Sequence, residues 1–187
     1  MSQPSNDPYV SVRTRHDFAA DEVISALQKE IRRGHTENAA LLAYEMIITS
    51  RDLESYLWKR LLVISVEDVG FGNPQAAVLV NNLYQMRGVF DRSENDRLLF
   101  AIHAVRVLCE SPKDRSTDEM INWIIMGSAG GSLRPEIPDY ALDKHTARGQ
   151  AMGRGDRHFW EEASRLSPEW SDRDTTYRDR IMGLIKD

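Results

Sequence analysis

A chain of 187 residues, 41% apolar and 28% charged, has the makeup of an ordinary water-soluble globular domain. No stretch approaches the ~18 uninterrupted apolar residues of a membrane helix, and the opening MSQPSNDPYVSV lacks the apolar core of a signal peptide. A net charge of −5 argues against nucleic-acid binding by the whole surface, and a single cysteine, Cys109, excludes an internal disulfide and fits a reducing cytoplasm.

In chain order, residues 1–15 are polar and proline-bearing and are expected to be disordered. From Asp21 to Arg33, Val23, Ile24, Leu27 and Ile31 form one helical stripe, closed by Gly34. Thr36 is placed to cap a second helix carrying Ala39, Ala40, Leu42, Ala43, Met46 and Ile47. A third runs from near Asp52 through Tyr56, Leu57, Arg60, Leu61 and Ile64. A fourth runs from Asn73, as N-cap, to about Met86, and a fifth from Ser93 to about Ser111, where Pro112 breaks it. Ser116-Thr117-Asp118-Glu119 is a capping-box pattern, in which the Ser and Glu side chains each satisfy a free helix amide. It opens a sixth helix through Ile121, Trp123, Ile124 and Ile125. Strict alternation is rare, so the fold expected is all-α, an array of short antiparallel helices. The helical core spans 16–126. GSAGGSLRPEIPD breaks the composition and predicts a linker at 127–138, and 139–187 form a tail with a last helix near Thr175–Ile185.

The stretch SVEDVGFGNPQA at 65–76 asks for chemistry. A phosphate loop needs a preceding strand and a Gly-Lys-Ser/Thr, and neither is present. The turn reads instead as a helix stop at Gly70 followed by a helix start at Asn73-Pro74. Glu67 and Asp68 sit at a helix C-terminus, where the macrodipole disfavours negative charge, so a partner such as Arg60 is expected. Paired acids also suit a metal or acid–base pair. No His or Cys lies at ligand spacing nearby, so a structural polar network is the favoured reading, with no cofactor. His16-Asp17 lacks the further ligands of a metal doublet. His103 lies in an apolar helix as a core or interface residue, and Cys109 reads as a buried, inert thiol. No nucleophile motif is visible.

The tail combines Lys144, His145, Arg148, Arg154, Arg157 and His158 with glycines and Trp160. Two readings stay open: a strap whose apolar residues pack on the core, or a nucleic-acid contact through phosphates and stacking. An enzyme using Glu67, Asp68 and His145 together is a third reading of the chain.

Three stretches together resemble the C-terminal helical region of the replication-associated recombination protein A family of AAA+ ATPases. They are HDFAADEVISALQKEIRRG (16–34), ENAALLAYEMI (37–47) and RLLVISVEDVGFGNPQA (60–76), and Ser111-Pro112-Lys113 is similar to a family turn after the fifth helix. Arg60, Ser65, Glu67, Asp68, Gly70 and Pro74 occupy motif positions. Val66 is an extra residue or a shift, and Asn73 stands for an aspartate. The resemblance covers about 16–112, and the tail from about 139 is expected to lie outside it. It implies an all-α domain like the clamp-loader collar, which assembles such ATPases into tetramers in DNA replication and recombination. Walker and sensor motifs are absent from this chain, so it reads as a free-standing collar domain. The expected partners are a second copy (dimer or tetramer), and beyond it a separate AAA+ ATPase and DNA, with no membrane. Apolar residues left over from the core would make the contact, with Tyr56, Trp58, Phe100 and Trp123 as anchors.

Overall fold

The computed structural model describes residues 8–185, and among them the regular structure is helical, with one isolated backbone bridge between Arg13 and Ala19. No helix of the described residues is long and apolar enough to cross a membrane. The chain divides into two units, Met1–Gly130 and Gly131–Asp187.

In the first unit, α1 (Ala20–Arg33) buries Val23, Leu27 and Ile31, the expected stripe. Asp21 and Glu22 in its first turn and Arg32 and Arg33 in its last suit the helix dipole, and Gly34 ends it in the left-handed conformation (φ 74°). The helix α2 (Thr36–Thr49) presents Ala39 and Ala43, both fully buried, so its neighbours α1 and α5 approach closely. Thr36 is the first residue of α2, not its cap, and no side chain caps that end. In α3 (Arg51–Ile64), Ser50 Oγ accepts the Leu53 amide at 3.1 Å. Leu53, Leu57, Leu61 and Ile64 form the middle of the core with Trp58. Trp58, expected as an interface anchor, is only 1% exposed; it packs on Tyr84 at 5.6 Å.

The end of α3 runs into a π turn, Ser65–Val69, and then a 3-10 turn, Gly70–Gly72. The helix α4 (Gln75–Met86) begins two residues later than expected. Asn73 does not cap it, because its side chain donates to Ser111 Oγ at 3.0 Å. The helix α5 (Asp96–Glu110) buries Ala101, Ala104, Val105, Leu108 and Cys109; burial pushes the Cys109 thiol up from its ordinary range, as an inert core thiol requires. Lys113 closes α5, donating to the carbonyls of Leu108 and Cys109 at 2.8 and 2.9 Å. The helix α6 (Ser116–Ala129) reaches three residues into the expected linker. Its capping box does not form: the Ser116 amide donates to Asp114 Oδ1 at 2.8 Å, so Asp114 does the capping.

Residues 1–7, half of the stretch expected to be disordered, lie outside the described residues. From Tyr9 onward the segment packs. Tyr9 meets Tyr56 at 4.6 Å, and Thr14 is buried. Glu45, itself buried, accepts the His16 amide at 2.9 Å and pairs with His16 Nδ1 at 2.6 Å. Burial alone would raise the Glu45 carboxyl, but the His16 ring, the Thr14 hydroxyl and the His16 amide together hold it below the ordinary range.

A second buried carboxylate, Glu54, holds the α4–α5 connection. Arg97, Arg92 and Arg87 approach it at 2.9, 3.0 and 3.6 Å. Arg92 also donates to the Ile47 carbonyl, and Arg97 to those of Arg87 and Phe90. Arg87 Nε is buried without a hydrogen-bond partner, and its guanidinium lies over the Tyr84 ring at 4.5 Å and the Trp58 ring at 5.4 Å.

The second unit is short-helical. The helix α7 (Ala147–Ala151) is capped by Thr146 Oγ1. The single turn α8 (Asp156–His158) runs into a π turn at Phe159–Ala163, and α9 (Thr176–Leu184) matches the expected last helix. Leu142 and Asp143 are buried.

Two outcomes follow from the turns and the anchor. Gly70 has φ 49° and ψ −130°, and a Cβ there would sit 2.4 Å from the Asp114 carbonyl oxygen. Gly70→Ala therefore lowers stability by at least ~2 kcal/mol, read from the urea midpoint at unchanged slope. The Glu45 pKa is lowered by folding, so its contribution is complete above the unfolded carboxylate value of about 4.3 and is lost as pH falls through the lowered folded value. Glu45→Gln is expected to be less stable than the native chain near neutral pH. Its stability then falls less between about pH 5 and pH 3, as thermal melts across that range would show.

Candidate functional site

The GFG turn and α6 meet over a knot of charge. Asp68 is fully buried in the π turn that continues α3, at the end of the helix where the dipole makes the potential negative. Arg32, from the last turn of α1, donates its Nε to Asp68 Oδ1, and Arg115, the residue before α6, donates to the same oxygen at 2.7 Å. Gln28 Nε2 donates to Asp68 Oδ2 at 3.0 Å and to Glu67 Oε1 at 2.7 Å. Glu67 lies 3.3 Å from Arg32, 3.4 Å from Arg115 and 3.7 Å from Arg60, while Arg60 donates to Gln28 Oε1. Arg115 also grips Asp118 in the first turn of α6. Three carboxylates thus balance three guanidiniums. Burial works against the Arg115 charge, but its bond to Asp68 and the charges of Asp118, Asp68 and Glu67 hold its pKa above the ordinary value.

The backbone repeats the connection. The Asp114 amide donates to the carbonyls of Asp68 and Val69 at 3.0 and 3.2 Å. The Ser116 hydroxyl and amide keep the Asp114 carboxyl ionised below its ordinary range, so it stays an acceptor for the first turn of α6. The base of α6 is therefore held by Asp68 from two directions.

What this base carries is unusual. No residue of α6 is buried, and Met120, Ile121, Trp123, Ile124, Ile125 and Met126 are all exposed, Trp123 at 61% and Met126 at 75%. From Met120 to Leu133 the chain has no charged residue.

Among the motif residues the structure joins Arg60, Glu67 and Asp68 in one network. Ser65 is buried, its hydroxyl donating to the Leu62 carbonyl at 2.7 Å. Gly70, Asn73 and Pro74 shape the turn beside it. Of the two acids, the expected partner Arg60 reaches only Glu67, at 3.7 Å; Arg32, Arg115 and Gln28, which do most of the holding, lie 35 to 48 residues away in sequence and gave no local signal.

The near oxygens of both acids are occupied by guanidinium or amide donors. His145 belongs to the second unit, where its Nδ1 pairs with Asp143 at 3.0 Å and its ring meets Phe159 at 5.1 Å. Among the described residues, no group of three or more His, Cys, Asp or Glu is placed to hold a metal. The tail cations carry internal pairs: Lys144 with Asp156, Arg154 with Asp139, and Arg157 with Glu161 at 3.3 Å. Arg148 is exposed. His158 Nδ1 is buried without a partner, and Trp160 stacks edge-on with Phe159 at 5.2 Å.

Fold and site define an all-helical domain whose third and sixth helices are joined through a buried charge network. The family described as "MgsA AAA+ ATPase C terminal" matches residues 34–172, and the chain belongs to it. The match reaches well past residue 139, so most of the tail lies inside the family resemblance, contrary to expectation. Replication-associated recombination protein A of Bacillus subtilis (strain 168) is 39% identical over 143 residues, 75% of this chain. The protein of that name in Haemophilus influenzae is 28% identical over 124 residues, 66% of this chain. The chain spans 33% and 26% of the length of these relatives.

Removal of the Asp68 carboxylate leaves Arg32 and Arg115 facing each other in a largely buried site. Asp68→Ala is expected to cost about 3–5 kcal/mol, whereas Arg60→Ala, which removes only the 3.7 Å pair with Glu67 and a bond to Gln28, costs about 1 kcal/mol or less. Chemical denaturation of the two variants side by side checks the ranking.

Proposed function

We propose that this chain is a non-catalytic oligomerisation module serving DNA replication and recombination, and that α6 is the surface through which it associates. The family relation supports the setting. The exposed apolar helix supports the mode of action. Its six large side chains leave on the order of 700 Å² of mostly apolar surface open, near the ~800 Å² per partner of a stable interface. Monomeric proteins rarely carry such a patch without a use for it. The clasp at Asp68 gives the helix a fixed direction, which an assembly contact needs if partners are to meet in one register. Trp123, the expected anchor, is on this surface; Trp58 is not. A separate AAA+ ATPase and DNA are the partners such an assembly would serve.

Light scattering at micromolar concentration tests this reading. The expected mass is that of a dimer or tetramer, and Trp123→Glu reduces it to the 21.4 kDa of one chain. A native chain that stays monomeric throughout overturns the proposal.

A further inference from the structure

The first unit carries a second uncovered apolar feature, and it is concave. A groove of about 350 Å³ runs between α4 and α5, lined by Leu83, Leu99, Phe100 and Ile102, with His103 and Arg106 at its edge. Leu99 is 67% exposed. The α6 of the same copy stands on the Ser65–Val69 and Gly70–Gly72 turns, and its apolar side chains point away from the core.

We infer that α6 of one copy docks into the α4–α5 groove of a second copy, in a head-to-tail contact; this rests on the self-association proposed above. Three observations select this occupant. At about 100° per residue, Met120, Ile121, Trp123, Ile124, Ile125 and Met126 spread over all sides of the helix. Pairing with another α6 would cover only one stripe of it, whereas a groove between two helices encloses more of the circumference. The groove and the helix are both apolar and both uncovered, so one contact buries both, while an α6–α6 pair leaves the groove open. The charges at the ends agree as well. Glu119 stands in the first turn of α6, and Arg106 lines the groove, held only loosely by Glu110 at 3.7 Å. Because helix and groove are different surfaces, the contact repeats from copy to copy, and a closed ring results when the rotation closes.

Complementation distinguishes this geometry from its rivals. Leu99→Glu spoils the groove and leaves α6 intact; Trp123→Glu spoils α6 and leaves the groove intact. Both positions are exposed, so each variant is expected to keep the native circular dichroism spectrum. Each alone is expected to run as a monomer in light scattering at a concentration where the native chain is assembled. An equimolar mixture is expected to form a discrete 1:1 dimer, since the intact helix of one fits the intact groove of the other. If the native chain is assembled and Leu99→Glu remains so, the groove is not the docking surface and the inference fails, while self-association stands. If both variants are monomeric and their mixture is too, the intact helix of one does not fit the intact groove of the other, and the docking is overturned. A monomeric native chain removes the proposal beneath it.

Discussion

One buried carboxylate, Asp68, sets the direction of the chain at its most consequential corner. It lies just past the end of α3, where the helix dipole opposes a carboxylate and nearby cations compensate it. Arg32 supplies one from α1 and Arg115 another from the entry to α6. Satisfying Asp68 thus ties the first helix, the third and the sixth together. The π turn that delivers Asp68 also delivers Gly70, whose backbone lies so close to Asp114 that a methyl group would collide with it. Charge and close packing therefore fix the same joint.

Helix existence was legible because each stripe reports its own burial: Val23, Leu27 and Ile31 are apolar at helical spacing and are in the core. Side-chain caps were less legible. Thr36 begins α2 without capping it, Asn73 is drawn away by Ser111, and the Ser116 amide finds Asp114 before a capping box can form. The need of Glu67 and Asp68 for positive charge followed from helix electrostatics, yet its main suppliers did not. Arg32 has the place of an ordinary C-terminal helix cation, and Arg115 that of a loop residue. Their partnership depends on how α1 and α6 are brought to the same turn, which is tertiary information.

Aromatic residues misled for a related reason. A tryptophan on an apolar face serves a core or an interface equally well, and spacing cannot separate the two. Trp58 has Tyr84 of a neighbouring helix to pack on; Trp123 stays largely exposed. The sixth helix gave a subtler sign. A helix with one buried face carries polar residues on the other, whereas Met120 to Ala129 has apolar residues on every side. Such a segment needs more than one neighbour, and the fold gives it only a footing.

The three arginines around Glu54 have a consequence for how the chain tolerates change. Their guanidiniums repel one another and share one carboxylate. Loss of any one arginine removes an ion pair and also relieves a repulsion, so the two effects partly cancel. Loss of the glutamate removes all three ion pairs and leaves every repulsion, with carbonyl and ring contacts remaining. The cluster is therefore lopsided in its sensitivity: drift is absorbed at three positions and concentrated at one, and the path from α4 to α5 is only as secure as that one acid.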